Sequence, residues 1–363
     1  MSTETASHPE RIRVAFWNVQ NLFDLDGSSV AAELEYTAVF GWDRKSLELK
    51  IQNLAGIISN LFDGEGPDLI GLCEIENERI ARRLLKEIGR SDYQLAVVSN
   101  PGFSSWDTAL IYSDRVFRQS SEPNRGHLID HRFPTCDILE VHLTTIDDEA
   151  DLMVLVNHWP SRKPSASATE PLRIAAASHC SRIIGDAVRV SRREYLEMND
   201  NDVSLFRLNQ RWNRNVLVMG DFNDEPWDIS IRRSLNAAYS REHMDESIRM
   251  SRGNLPSWKS YYGRAVPLFN PMWSLLTQPD QGTRTTDPSL PLVLTDQFVL
   301  SRGICLGLAG ISTGETSFGI PDVRIARPEA MIGRKNRPRE FRMDSGSGFS
   351  DHFPITIHLQ RSR

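Results

Sequence analysis

Short apolar runs that stop abruptly at polar residues recur along the chain. Arg11–Trp17 leads to Asn18 and Asn21, Asp68–Cys73 to Glu74 and Glu76, and Leu152–Val156 to Asn157 and His158. Val216–Met219 runs into Gly220-Asp221-Phe222-Asn223-Asp224. Leu292–Leu294 precedes Asp296 in a segment ending near Ser301, and Phe353–Leu359 follows Ser350, Asp351 and His352. Runs this short, bounded by polar groups, predict buried strands of four to seven residues. Between them the period changes to that of a helix. Leu47, Ile51, Leu54, Ile58 and Leu61 share one face, as do Ile80, Leu84 and Ile88 within Glu78–Ile88, where Gly89 stands at a C-cap position. Ile174, Ala177, Ile184 and Val188 suggest a third helix. Ser161–Pro171 reads as a Ser/Pro loop, and Asn254–Pro291 as an irregular stretch rich in Pro, Gly and aromatics. This alternation predicts mixed α/β layers around one core. With no linker evident, a flexible tail over 1–10 and one domain over 11–360 are expected, with insertions around 161–215 and 254–291.

Composition narrows the class. Of the 363 residues, 40% are apolar and 25% charged, as in soluble globular proteins. No apolar run could span a bilayer, and the polar N-terminus has no apolar signal core, so a cytoplasmic location and no membrane partner are expected. The four cysteines (Cys73, Cys136, Cys180, Cys305) are scattered without a C-x-x-C pair, which argues against a thiolate zinc site and a disulfide framework. A net charge of −6 points away from a protein that simply coats nucleic acid. Charge is uneven, however. Arg324–Arg342 carries a local +5 and the remainder −11, so this segment is either a solvated charged loop or a phosphate-gripping one beside an acidic site.

The strand exits hold the candidate chemistry, because a rigid sheet presents side chains there. Gly220–Pro226 crowds acids and an amide behind an apolar run, as either turn chemistry or a site. Glu74 ends an uncharged stretch, so it is exposed, paired or bound to a hard cation; Glu76 would share its face if the strand continued. His158 and the Asp351-His352 pair are each open to a structural reading.

Taken together these segments are more specific. FWNVQNLFD (Phe16–Asp24), PDLIGLCEIEN (Pro67–Asn77), NHWPSR (Asn157–Arg162), VLVMGDFNDEP (Val216–Pro226), TDQFVLS (Thr295–Ser301) and GFSDHFPI (Gly348–Ile355) resemble, in order, the motifs of the endonuclease/exonuclease/phosphatase (deoxyribonuclease I-like) superfamily, closest to its bacterial nuclease-like branch. The resemblance implies a four-layered α/β sandwich: two packed, mostly antiparallel sheets flanked by helices. It implies Mg²⁺, with Mn²⁺ as a substitute, on Glu74 with Asn18 and Asp351 nearby. It places His158, Asp221, Asn223, Asp296 and His352 as catalytic residues: His158 facing phosphate, Asp221 and Asn223 on the attacking water, Asp296 holding His352. Arg162 falls on a basic phosphate-contact position. Asn21, together with Arg337 and Arg339 of the basic segment, completes the expected substrate contacts.

Departures from the pattern weaken transfer of a substrate. Cys73 stands where Gln usually precedes the metal-binding Glu, and Gln20 where an acid is common. Thr295 replaces an apolar residue, Gln297 a frequent His, and Cys136 a frequent Arg. The expected function is a Mg²⁺-dependent nuclease hydrolysing DNA, with RNA less favoured, by in-line attack of water; no protein partner is evident. The alternatives are a phosphatase or phosphodiesterase on a small or lipid phosphoester, and an inactive binding module.

Overall fold

The computed structural model describes residues 11–26, 31, 34–98, 108–129, 138–245, 247–277, 281–285, 290–317 and 319–361. Cys136 and the N-terminal 1–10 lie outside them. One sheet contains β1 (Arg11–Leu22), β2 (Leu69–Ile75), β3 (Tyr93–Ala96), β4 (Thr108–Ser113), β13 (Ile311–Thr313), β14 (Val323–Ile325) and β15 (Ile355–Arg361). Its order is β13-β15-β1-β2-β4-β3, with β14 also on β15. The second contains β5 (Phe117–Gln119), β6 (Arg125–His127), β7 (Ile138–Thr145), β8 (Asp151–His158), β9 (Asn215–Asp221), β10 (Ala237–Ala238), β11 (Leu268–Phe269) and β12 (Asp296–Ser301). Its order is β10-β11-β12-β9-β8-β7-β5, with β6 also on β7. Most pairs are antiparallel; β1–β2, β8–β9 and β10–β11 are parallel.

Helices cover both outer faces: α1 (Arg44–Asn60) and α2 (Glu78–Ile88) on the first sheet, α3 (Ala166–Ala187) and α4 (Asp202–Trp212) on the second. The result is the four-layered sandwich. Val14, Phe16, Val156, Met219 and Phe298 fill the space between the sheets. Leu47, Ile51 and Ile80 pack against the first sheet, and Ala177, Ile184 and Leu208 against the second. Local chemistry explains the helix ends. Asp43 accepts from the Ser46 amide at 2.8 Å to start α1, Asn77 caps α2, and Gly89 closes α2 at φ +75°, where a side chain would be strained.

Helix α3 begins earlier than the sequence pattern predicts. The Ser/Pro loop ends at Ser165, whose hydroxyl accepts from the Ala168 amide, and Pro171 lies inside the helix. Capping and the buried Ala176/Ala177/Cys180 face outweigh the hydrogen bond forgone at the proline. Because β8 and β9 are parallel, a crossover must join them, and α3 lies within it.

Candidate active site

Register brings the polar strand exits together. Val156, Met219 and Phe298 line the inner face of the second sheet, and two residues onward along β8 and β9 that face continues as His158 and Asp221. His158 pairs with Asp221 and Asp221 with Asp296, so three functional groups form one row across β8, β9 and β12. The close approach of β8 requires Gly220, since a Cβ there would lie 2.3 Å from the Asn157 carbonyl oxygen. On the first sheet Asn18 continues the inward face of Val14 and Phe16. Glu74 would point outward by strict alternation after inward Cys73, but its φ of +63° turns it back. Its Oε1 accepts from Asn18 Nδ2 at 2.8 Å and its Oε2 from the Asn21 amide at 2.7 Å. The same turn carries Glu76 away, to accept from the Asp24 amide at 2.5 Å.

Asp221 Oδ2 is the meeting point of the two sheets. Asn18 Nδ2 donates to it at 3.2 Å, while His352 Nε2 lies 3.7 Å away and His158 Nε2 4.0 Å away. Asp221 Oδ1 accepts from the Asn223 amide at 2.9 Å, across a left-handed Asn223 at φ +51°. His352 is fixed through its main chain: Ser350 Oγ accepts from its amide and donates to the Asn18 carbonyl, and Trp17 donates to its carbonyl at 2.9 Å. Its Nδ1 lies 2.8 Å from Asp296 Oδ2. Burial lowers the His352 pKa, but Asp296, Asp351 and Asp221 overcome this and raise it to about 9. Burial raises Asp221, yet His352, His158 and Arg284 hold it net down at about 2. Asp296 is raised, burial outweighing the attraction of His352. These charges push His352 towards the cation and Asp221 towards the anion.

Arg284 is the largest omission from the sequence-based set. It sits in the loop before β12, bridged by backbone to Val293 and His352, and donates from Nη1 to Asn223 Oδ1 at 3.1 Å. Its Nε is 3.7 Å from Asp351 Oδ2. Its pKa is raised: burial lowers it, and the charges of Asp221, Asp351, Glu74 and Asp296 more than reverse this. Arg284 Nε and His352 Nε2 are buried and make no hydrogen bond among the described residues. Nothing in the local sequence marked Arg284, because its loop has no strand or helix period.

Other expected groups are already engaged. Arg162 donates to the Asn223 carbonyl at 2.6 Å and to Asp228 at 2.8 Å, bracing the loop after β9. Arg337 donates to Thr285 Oγ1 and the Leu290 carbonyl. Arg339 is exposed, held by backbone bonds to Met331 and Phe349. Asp224, beside the site in sequence, is structural: Arg173 donates to one oxygen and Ser230 to the other, each at 2.6 Å. Gln297, a departure from the family pattern, donates to the Asp224 carbonyl.

Two donor sets could hold a cation. Ligand atoms of Asp221, Asp296 and His352 lie within 4.8 Å of one another. That group is fully buried, and its His352–Asp296 contact is a hydrogen bond rather than an open position. Glu74 and Asp351 are hard oxygen donors that keep 21% and 24% side-chain exposure, and they act on the same cations, Arg284 and Lys50. This second set, beside Asn18, fits a hard divalent ion better.

Two packed sheets that deliver acids, amides and histidines from their strand ends to one edge define an α/β sandwich with a carboxylate–histidine centre. The chain belongs to the endonuclease/exonuclease/phosphatase family, whose sequence model matches residues 13–361 and whose members are phosphoester hydrolases. No curated protein matches it. Among solved structures it is similar to a humanized D. rerio TDP2 (TM-score 0.54, 13% identity) and a Bacteroides thetaiotaomicron mannosyl-6-phosphatase (0.52, 12%). It is also similar to D. rerio TDP2 complexed with single strand DNA product (0.50, 13%). Each likeness covers 96% of this chain and 99% of the other. At these identities the likeness establishes the fold.

Proposed function

We propose that the chain is a divalent-cation-dependent phosphodiesterase acting on nucleic acid, DNA rather than RNA, with Mg²⁺ as the ion and Mn²⁺ as a substitute. The observation that carries this reading is the pair of buried donors, Arg284 Nε beside Asp351 and His352 Nε2 beside Asp221, that make no hydrogen bond among the described residues. Buried donors without partners are costly, and an anionic oxygen between them removes that cost. A phosphodiester repels hydroxide, so charge must be offset and a water aligned with the leaving oxygen. Mg²⁺ on Glu74, with Asn18 and Asp351 beside it, would offset charge on the phosphate oxygens. Asp221, ionised and oriented by Asn18 and the Asn223 amide, holds the attacking water and takes up its proton. His352, kept cationic and oriented by Asp296, donates to the transition state from Nε2, as does His158 from across the row. Arg284 grips a second phosphate oxygen.

Two features favour a polymer over a small ester. Trp227 follows the β9 loop and packs edge-on against Trp273 at 6.4 Å, with Tyr239 5.7 Å from Trp273; Trp227 and Tyr239 are exposed, a surface on which bases could stack. Of these three only Trp273 belongs to the irregular stretch 254–291, whose Tyr261 and Phe269 are core residues instead. Exposed Arg334 and Lys335 lie in the basic segment whose Arg337 reaches the Arg284 loop at Thr285. The similar D. rerio structure with single strand DNA product is consistent with such a ligand.

The test is turnover of plasmid, linear duplex, single strands, RNA, a generic phosphodiester and a sugar phosphate, each with Mg²⁺, Mn²⁺ or chelator. Cation-dependent cleavage of nucleic acid is expected. Turnover of the sugar phosphate alone would replace this reading with a phosphatase, and binding without turnover would make the chain an inactive module.

A further inference from the structure

Helix α1 turns an apolar stripe of Leu47, Ile51, Leu54 and Ile58 to the first sheet, and Lys50 lies on that stripe, fully buried. A buried ammonium is heavily penalised unless its charge is met. Here three rings meet it: Phe341, Tyr36 and Trp42, with centroids 5.1, 5.8 and 5.9 Å from Nζ. The rings brace one another edge-on, Tyr36 with Trp42 at 5.1 Å and Trp42 with Phe341 at 6.2 Å.

From this cage Nζ donates to the Gln20 carbonyl. Gln20 is held at two further points: its amide donates to Asn18 Oδ1 at 3.0 Å, and its Oε1 accepts from the Phe341 amide at 2.9 Å. These three contacts fix Gln20 and Asn21 in the left-handed region, at φ +54° and +52°, which side chains seldom adopt unaided. That conformation aims the Asn21 amide at Glu74 Oε2, 2.7 Å away.

We propose that Lys50 is a positioning residue for the Glu74 carboxylate, acting through the Gln20–Asn21 backbone to preset one oxygen of the divalent-cation site. The proposal rests on the reading of Glu74 as the metal carboxylate. The aromatic cage then holds the Lys50 side chain against the Gln20 carbonyl.

Direct Mn²⁺ binding, followed by electron paramagnetic resonance on the whole protein without substrate, tests this. The sign separates positioning from simple charge. Burial lowers the Lys50 pKa to about 7 against the charges of Glu74 and Asp351, so in measurements below pH 7 removing its charge would by Coulomb's law alone tighten Mn²⁺ binding. Lys50→Met is expected instead to weaken it about tenfold, with Lys50→Arg, which keeps a donor, losing less. Unchanged or tighter binding in Lys50→Met overturns the proposal. Should that variant not fold, Phe341→Leu removes one ring while keeping the backbone bond to Gln20; about threefold weaker binding supports the proposal and unchanged binding overturns it. Glu74→Gln is the separate arm. If it still binds Mn²⁺, the metal reading beneath the proposal has failed and the proposal goes with it; if it binds none while Lys50→Met binds normally, the positioning role alone is overturned.

Discussion

Glu140 and Asp221 are both buried carboxylates flanked by two histidines, and they lie on the same sheet with one strand between them. Glu140 on β7 faces the helical side. Its Oε2 meets His127 Nε2 at 2.6 Å, and its Oε1 meets His142 Nε2 at 2.7 Å and Arg125 Nη1 at 3.3 Å. Both of its oxygens are satisfied, and each ring meets it through Nε2. Asp221 lies beyond the inter-sheet core, where the first sheet supplies Asn18 and the loop before β15 supplies His352, and where buried Arg284 Nε and His352 Nε2 make no hydrogen bond among the described residues. A carboxylate–histidine pair is therefore not itself the sign of a site. What sets Asp221 apart is that such donors converge with acids and amides from two sheets.

The comparison breaks first at the Asp221 cluster. His352→Ala should lower kcat/KM on the order of a thousandfold with the fold retained. Adding Asp296→Asn should then cost far less than it does alone, because a carboxylate that orients an imidazole has nothing left to orient. Independent, additive losses in initial-rate measurements would show that the two do not act as one unit.

Glu140→Gln should do the reverse, leaving turnover unchanged and costing stability. Burial raises the Glu140 pKa, but the hydrogen bonds and charges of His127 and His142 bring it net down to about 2 from an ordinary 4.5. A carboxylate whose pKa is lowered by folding contributes stability that is present above pH 4.5 and lost as pH falls towards 2. The expected difference from the parent is about 2–3 kcal/mol in urea unfolding at pH 7, shrinking steadily below pH 4.5. A constant difference across that window, or a fall in activity at pH 7, would place Glu140 in the wrong class.

The smallest effect belongs to the exposed rim. Arg334→Gln with Lys335→Gln should weaken nucleic-acid binding only a few-fold and flatten its salt dependence by about 0.9 for each duplex-DNA phosphate that the pair neutralises. Hydrolysis of a small diester should not change. Equal binding at every salt concentration would make this stretch solvated surface.

Much of the architecture was legible from period and punctuation: five apolar runs became strands β1, β2, β8, β9 and β15, the segment from Asp296 to Ser301 became β12, and Asn77 and Gly89 bounded α2 as their chemistry dictates. Leu292–Leu294 did not join β12; Val293 instead bridges to Arg284. Lys50 was hidden in plain view, a charge on the i, i+3, i+4 stripe of α1 whose compensation comes from rings at positions 36, 42 and 341. Arg284 left no trace at all.

By itself the sequence determined which polar groups stand at strand exits, because apolar alternation and its abrupt end are local properties of the chain. Tertiary structure decided which of those groups meet. Pairing register set His158, Asp221 and Asp296 in one row, and packing of the two sheets brought Asn18 to Asp221. Left-handed backbone at Gln20, Asn21, Glu74 and Asn223 re-aimed side chains that alternation would have sent elsewhere. Such conformations are unfavourable for any non-glycine residue in isolation. They persist because contacts from distant parts of the chain hold them, and a linear reading of neighbours carries no record of those contacts.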